Sequence, residues 1–208
     1  MSIDPGLIDM IMRLRGRGIS SNDVLRAIEL SPRRHFVPAD QRASAYEDVN
    51  IPIGCGQTLP PPMTSALMVQ MLDVRPDHKV LTLGLGSGYM AAILSQLATR
   101  VYTVERYKTL IAEASERFKS VEVFNVVTRH GDGRYGWPGQ APFDRIILGY
   151  ALRAEPEAVL AQLAPGGVAL AVIDDALTRF EKPRTKISST ELLPLDLDMI
   201  EAGKSKTL

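Results

Sequence analysis

One ten-residue segment, Val80-Leu81-Thr82-Leu83-Gly84-Leu85-Gly86-Ser87-Gly88-Tyr89, limits what this chain can fold into more than any other stretch. A short, nearly continuous apolar run enters three alternating glycines. A run with Ala91, Ile93, Leu94 and Leu97 at helical spacing follows, from Tyr89 to Ala98. Apolar runs this short read as strands buried on both faces. Strand, glycine turn and helix in that order form the opening unit of an open α/β sheet. The turn then lies at the carboxyl end of the strand, where such sheets bind ligands. Glycine lets a ligand approach the backbone because no Cβ intervenes. The following helix offers unpaired N–H groups and the positive end of its dipole.

The alternation continues downstream. Val101 to Val104 reads as a second strand, Leu110 to Phe118 as a helix, and Val121 to Val127 as a third strand. Arg145 to Leu148, closely preceded by Asp144, reads as a fourth strand. A helix over Glu157 to Leu163 and a fifth strand over Val168 to Ile173 follow, the latter entered through Pro165-Gly166-Gly167. This pattern predicts a mostly parallel α/β sheet with helices on both faces. After Asp175 the alternation lapses, and Thr178 to Glu181 and Lys186 to Leu195 read as an antiparallel edge.

Upstream, Leu7, Ile8, Ile11, Met12 and Leu14 recur at helical spacing until Gly16 and Gly18. Ser21 is a good N-cap for a second helix carrying Val24, Leu25, Ile28 and Leu30. Met63 to Leu72 forms another. Between them, Glu47 to Pro62 is irregular, rich in Gly and Pro, and apolar for a surface loop; irregular segments of this length are commonly functional. The expected organisation is one domain over residues 1–208. It has a helical extension (1–45), an active-site loop (46–62), a Rossmann-like core (63–200) and a loose tail (201–208).

Composition narrows the function. Twenty-four basic residues balance twenty-four acidic ones, giving no broad attraction to nucleic acid or an anionic membrane. The basic stretch Arg13 to Arg17 reads as a solvated helix end. One cysteine, Cys55, excludes an internal disulfide. The histidines His35, His78 and His130 are scattered, so no metal site is expected. The amino terminus lacks the form of a secretory signal, and no run approaches the ~20 apolar residues of a membrane span. A cytoplasmic protein of unspecified oligomeric state is the expectation.

Glycine spacing separates two cofactor classes. A dinucleotide fold uses G-x-G-x-x-G, whereas Gly84, Gly86 and Gly88 form G-x-G-x-G with Tyr89 at the place of the last dinucleotide glycine. That favours S-adenosylmethionine. Glu105 ends the second strand, 21 residues beyond Gly84, where a carboxylate accepts hydrogen bonds from ribose hydroxyls. Asp132, in His130-Gly131-Asp132-Gly133, follows the third strand and suits an adenine amino group. Gly84, Gly86, Ser87, Gly88, Glu105, Arg106, Asp132 and Gly133 are therefore the expected cofactor-binding residues.

Longer strings carry a family resemblance over nearly the whole chain. They are Phe36-Val37-Pro38, Ala45-Tyr46-Glu47-Asp48, Ile51-Pro52-Ile53-Gly54-Cys55-Gly56-Gln57-Thr58 with Pro62, and Gly86-Ser87-Gly88-Tyr89. Val104-Glu105-Arg106, Gly131-Asp132-Gly133, Gly136-Trp137, Ala141-Pro142-Phe143-Asp144 and Gln162-Leu163-Ala164-Pro165-Gly166-Gly167 continue them. With these strings the chain resembles the protein-L-isoaspartate O-methyltransferases. The resemblance implies methyl transfer from S-adenosylmethionine to the carboxyl of isoaspartyl residues in damaged proteins. Gly56, Gln57, Thr58, Leu59 and Pro60 would form the substrate loop.

Three positions depart from the family pattern. Pro60 stands where the family has its active-site serine, and it brings neither a hydroxyl nor an N–H. Thr82 stands where the first strand usually carries an acidic residue. Gly149-Tyr150-Ala151 replaces Thr-Ala-Ala. Thr58 is the candidate to supply the missing hydroxyl, with Thr64 as the alternative. A related methyltransferase on another acceptor, or a catalytically impaired S-adenosylmethionine-binding protein, remain the competing readings. Trp137 and Tyr46 are candidates to wall the substrate site, though both read first as core, and Cys55 reads as an apolar filler.

Overall fold

The computed structural model describes residues 4–205. Helix α1 (Pro5–Gly16) begins on Asp4, whose carboxylate accepts the Gly6 N–H at 3.0 Å. Helix α2 (Asn22–Glu29) begins on Ser21, whose hydroxyl accepts the Val24 N–H at 3.3 Å. Each side chain satisfies a helix N–H that has no partner within the helix. The irregular loop contains a minimal antiparallel hairpin, β1 (Ile51–Pro52) against β2 (Thr58–Leu59), and leads into α3 (Pro62–Leu72).

The core continues as β3 (Lys79–Leu83), α4 (Tyr89–Ser95), β4 (Arg100–Glu105), α5 (Lys108–Ser120) and β5 (Val126–His130). It ends with β6 (Phe143–Leu152), α6 (Glu157–Leu160), β7 (Leu163–Ile173), β8 (Ala176–Lys182) and β9 (Ser188–Pro194). Seven strands form one sheet in the order β5-β4-β3-β6-β7-β8-β9. The first five in that order run parallel; β8 and β9 are the antiparallel edge. Leu83 pairs with Val104 on one side and Leu148 on the other. Gly84, Glu105 and Gly149 therefore come level at the carboxyl edge, beside the strand where the order of addition reverses.

Alternate strand residues serve opposite faces. Val80, Val101 and Ile147 pack with α1 to α5, whereas Leu81, Tyr102, Phe143 and Ile146 pack with Val159 and Leu160 of α6. Both faces of β3, β4, β6 and β7 are thereby buried, which is why those strands read as largely apolar runs, whereas the edge strand β5 stays partly exposed.

Several boundaries differ from expectation. The third parallel strand is Val126–His130, not Val121 to Val127. The Asn125 amide donates to the carbonyls of Ser95 and Ala98, pinning the link beneath α4. Val121 and Val123 consequently join the core from a turn. Helix α6 stops at Leu160, and strand β7 begins at Leu163 because the Gln162 carbonyl already accepts the Phe143 N–H. The expected loose tail is docked through Glu201, Gly203 and Ser205; residues 206–208 lie outside the described residues.

Gly88 shows why the third glycine is required. Its φ is +91°, and a Cβ would sit 3.0–3.1 Å from Phe118 and Ala114 of α5. Gly88→Ala is expected to cost about 1–3 kcal/mol, combining left-handed strain with displacement of a packed ring. Urea unfolding measures this; an unchanged midpoint would show that α5 yields freely.

Candidate functional site

The principal cavity, about 880 Å³ and open to solvent, lies over the carboxyl ends of β3, β4, β5 and β6. Gly84, Gly86, Glu105, Arg106, Asp132 and Gly133 line it. Six of the eight expected cofactor residues thus converge on one space. Ser87 and Gly88 do not border it. The Ser87 hydroxyl turns back to accept the Tyr89 N–H at 3.3 Å, and Gly88 faces α5.

The glycine turn is held open by conformation. Gly84 and Gly86 have φ of +83° and +54°, a region that side chains with a Cβ rarely occupy. Glu105, only 5% exposed, accepts the Gly86 N–H at 3.1 Å with one oxygen and the Tyr107 N–H at 3.0 Å with the other. The strand-end carboxylate therefore also fixes the turn it faces.

Asp132 is more heavily engaged. It accepts the side chain of Arg134 at 2.7–3.2 Å, the Arg134 N–H at 3.0 Å and the Gly203 N–H at 2.9 Å. Burial pushes its carboxyl upward, but these hydrogen bonds and the Arg134 charge outweigh that and hold it below the ordinary range.

The loop supplies the opposite wall. Gln57, Thr58 and Pro60 reach the cavity; the Thr58 hydroxyl donates to Asp198 at 2.5 Å. Thr58 and Thr64 both border an adjoining cleft of about 470 Å³ that shares Pro60, Gly84 and Gly86 as walls. Gly56 and Leu59 do not line the principal cavity, though Leu59 borders the cleft. Cys55 is partly buried against the core, and burial together with the Glu113 and Glu105 carboxylates pushes its thiol up, away from nucleophile character. Trp137 packs edge-on against Tyr102 at 5.6 Å, and Tyr46 lies against α1, so neither walls the cavity. Among the described residues no group of three or more His, Cys, Asp or Glu is arranged to hold a metal ion. No described helix is long and apolar enough to cross a membrane.

Sequence reasoning missed a third wall. Residues Asp196 to Gly203 form a strap across the cavity mouth. Ala151 holds it by backbone, donating to the Asp198 carbonyl at 2.9 Å and accepting the Ile200 N–H at 3.1 Å. Glu201 then pairs with Arg106 at 2.5 Å and accepts the Tyr107 hydroxyl at 3.0 Å. The polar–apolar alternation Leu195-Asp196-Leu197-Asp198-Met199 was the available signal for extended backbone.

The departure at Gly149-Tyr150 also acquires a geometric meaning. A Cβ on Gly149 would lie 3.3 Å from the carbonyl oxygens of Leu83 and Gly84. The Tyr150 ring covers Gly84, and its hydroxyl lies against Gly133, without a hydrogen-bond partner. Burial, followed by the Asp132 carboxylate, holds that phenol far above its ordinary value, so it stays neutral.

Comparison with known proteins places the chain in a family. The profile of the family described as protein-L-isoaspartate(D-aspartate) O-methyltransferase matches residues 8–194. A Maricaulis maris protein named protein-L-isoaspartate O-methyltransferase is 44% identical over 209 residues, covering 99% of this chain and 98% of its own length. A Rhodospirillum rubrum protein of the same name is 48% identical over 169 residues, covering 81% and 77%. Among solved structures, a Plasmodium falciparum protein named for the same activity, in complex with S-adenosyl-L-homocysteine, superposes with a TM-score of 0.82. That match has 20% identity and covers 93% of this chain and 97% of the other, so it speaks to the fold. On the evidence of the profile and of these full-length relatives, the chain belongs to the protein-L-isoaspartate(D-aspartate) O-methyltransferase family.

Proposed function

We propose that the chain is an S-adenosylmethionine-dependent methyltransferase that esterifies the α-carboxyl of isoaspartyl residues in damaged proteins or peptides. The carrying observation is the convergence of Glu105 and Asp132, from successive strand ends, on a glycine turn that shares one cavity with the loop at 57–60. Family membership supplies the reaction class.

The residues fit the cofactor. Gly84 and Gly86 border the cavity as bare backbone, in a conformation that residues with a Cβ rarely adopt. Glu105 is fixed by two backbone N–H groups and retains lone pairs for ribose hydroxyls. Asp132 fits an amino donor, because the Gly203 N–H now occupies that same acceptor. S-adenosylmethionine, when bound, supplies an electrophilic sulfonium methyl. An acceptor carboxylate is ionised at neutral pH and needs no general base. The protein's task reduces to holding the acceptor in line and excluding water. Thr58 is the hydroxyl we assign to orienting the acceptor, since Pro60 has none; in that role it exchanges its bond to Asp198 for one to the acceptor.

One observation favours a second reading, a neutral or cationic acceptor. Asp198 already occupies the Thr58 hydroxyl, and Asp196 stands beside it at the cavity, so an anionic acceptor meets like charge there.

Isothermal titration with S-adenosylmethionine, followed by methyl transfer to an isoaspartyl peptide in the same sample, tests both. Binding with transfer is the expected result. Binding without transfer overturns the isoaspartyl acceptor, and no binding overturns the assignment of the cavity. Glu105→Gln is expected to weaken cofactor binding about 10- to 100-fold, or roughly 1.4–2.7 kcal/mol, because one charged acceptor is lost. Unchanged affinity would remove Glu105 from the site. Pro60→Ser, which restores a hydroxyl beside Thr58, is expected to raise kcat/KM for the isoaspartyl peptide about tenfold; no gain would show that Thr58 already serves that purpose.

A further inference from the structure

Arg33 is fully buried, an uncommon situation for a cation. Its Nη2 donates to the Pro60 carbonyl at 2.6 Å and lies 3.5 Å from the Leu59 carbonyl. The guanidinium stacks over the Tyr89 ring, 5.0 Å from its centroid. Nε and Nη1 have no hydrogen-bond partner. Burying a cation with spare donors costs stability, and a Leu or Met would fill the same volume without that cost. The arrangement therefore calls for a reason other than packing.

The loop provides one. Pro60, Pro61 and Pro62 have no N–H, so across this stretch the backbone presents only carbonyl oxygens. The Pro61 carbonyl is taken by the Ser65 N–H at the start of α3. The Pro60 carbonyl remains as the free handle, and the Leu59 carbonyl, paired with Ile51 in the β1–β2 hairpin, lies beside it. A planar, charged donor group beneath them suits that task, because charge-assisted hydrogen bonds are roughly twice as strong as neutral ones. Burial pulls the guanidinium down to about 10, so it stays charged at neutral pH. The same side chain touches Tyr89, the first residue of α4, directly after the glycine turn.

We propose that Arg33 is a positioning residue that ties the Leu59–Pro60 segment of the acceptor loop to the start of α4, setting the distance between acceptor and cofactor. The inference rests on the reading of residues 57–60 as the acceptor loop. It assigns Arg33 no contact with either substrate.

Arg33→Met keeps the shape and removes the donors; Arg33→Lys keeps the charge and one reach to Pro60. Amide hydrogen exchange in the full-length protein reads the tie without requiring activity. In Arg33→Met, exchange at Gln57 to Leu59 is expected to quicken at least tenfold, while amides in β4 and α5 keep their rates. In Arg33→Lys the loop should fall between wild type and Arg33→Met, or, where Arg33→Met does not fold, should exchange at least threefold faster than wild type. In the assay, KM for the isoaspartyl peptide should rise at least tenfold in Arg33→Met, with the S-adenosylmethionine Kd within twofold, and Arg33→Lys should recover part of the KM. Loop exchange at wild-type rates in whichever variant folds overturns the proposal. So does uniform acceleration across β4 and α5 with Kd and KM rising together, which would mark a packing role. Absence of methyl transfer by the wild-type protein would defeat the proposed function alone, and the exchange rates would still decide the role of Arg33.

Discussion

The site depends on one close approach, that of β3 and β6 at their carboxyl ends. Gly149 lies against the carbonyl oxygens of Leu83 and Gly84, where a Cβ would sit a tight 3.3 Å from both. That contact brings the next residue, Tyr150, over Gly84 and extends its hydroxyl to Gly133. Gly84 and Gly133, on two different segments, are thus packed against one buried aromatic ring. Register does the rest: with Leu83 level with Val104 and Leu148, the glycine turn, Glu105 and Gly149 must share one edge of the sheet. The cavity is a consequence of strand alignment before it is a property of any side chain in it.

The polar groups at that edge serve two ends at once. Glu105 is a candidate ligand group and also the clamp on the Gly86 and Tyr107 backbone. Asp132 is held by Arg134 and by the strap through Gly203. The donors on Asp132 stabilise its anion, so that carboxylate is a fixed electrostatic feature of the site. The strap adds Asp198 and Glu201, the first on Thr58 and the second on Arg106. The departures from the family pattern, Pro60 in the loop and Tyr150 at the end of β6, thus sit among side chains engaged with one another.

The sequence by itself determined the α/β architecture, because strands covered on both faces must be short and apolar and must alternate with amphipathic helices. It also placed the candidate cofactor residues at one edge of the sheet, because backbone conformation at Gly84 and Gly86 and the strand-end position of Glu105 and Asp132 are local properties. Local signals failed where contacts distant in sequence prevailed. Val121 and Val123 look like strand residues, yet Asn125 reaches back to α4 and delays β5. Ser87 and Gly88 belong to the motif, yet a hydroxyl that turns inward and the packing of Phe118 remove them from the cavity.

Only the tertiary structure decided the strap and the hold on the acceptor loop. Residues 196–203 show nothing but a weak alternation, and their place over the cavity comes from Ala151, Arg106 and Asp132, all far away in the chain. Arg33 reads as one basic residue in a basic run, and its burial beneath Pro60 follows from how α1, α2 and α3 pack onto the sheet. The physical reason is common to both. A hydrogen bond between groups many residues apart leaves no periodicity in either segment, so it exists only once the fold has brought them together.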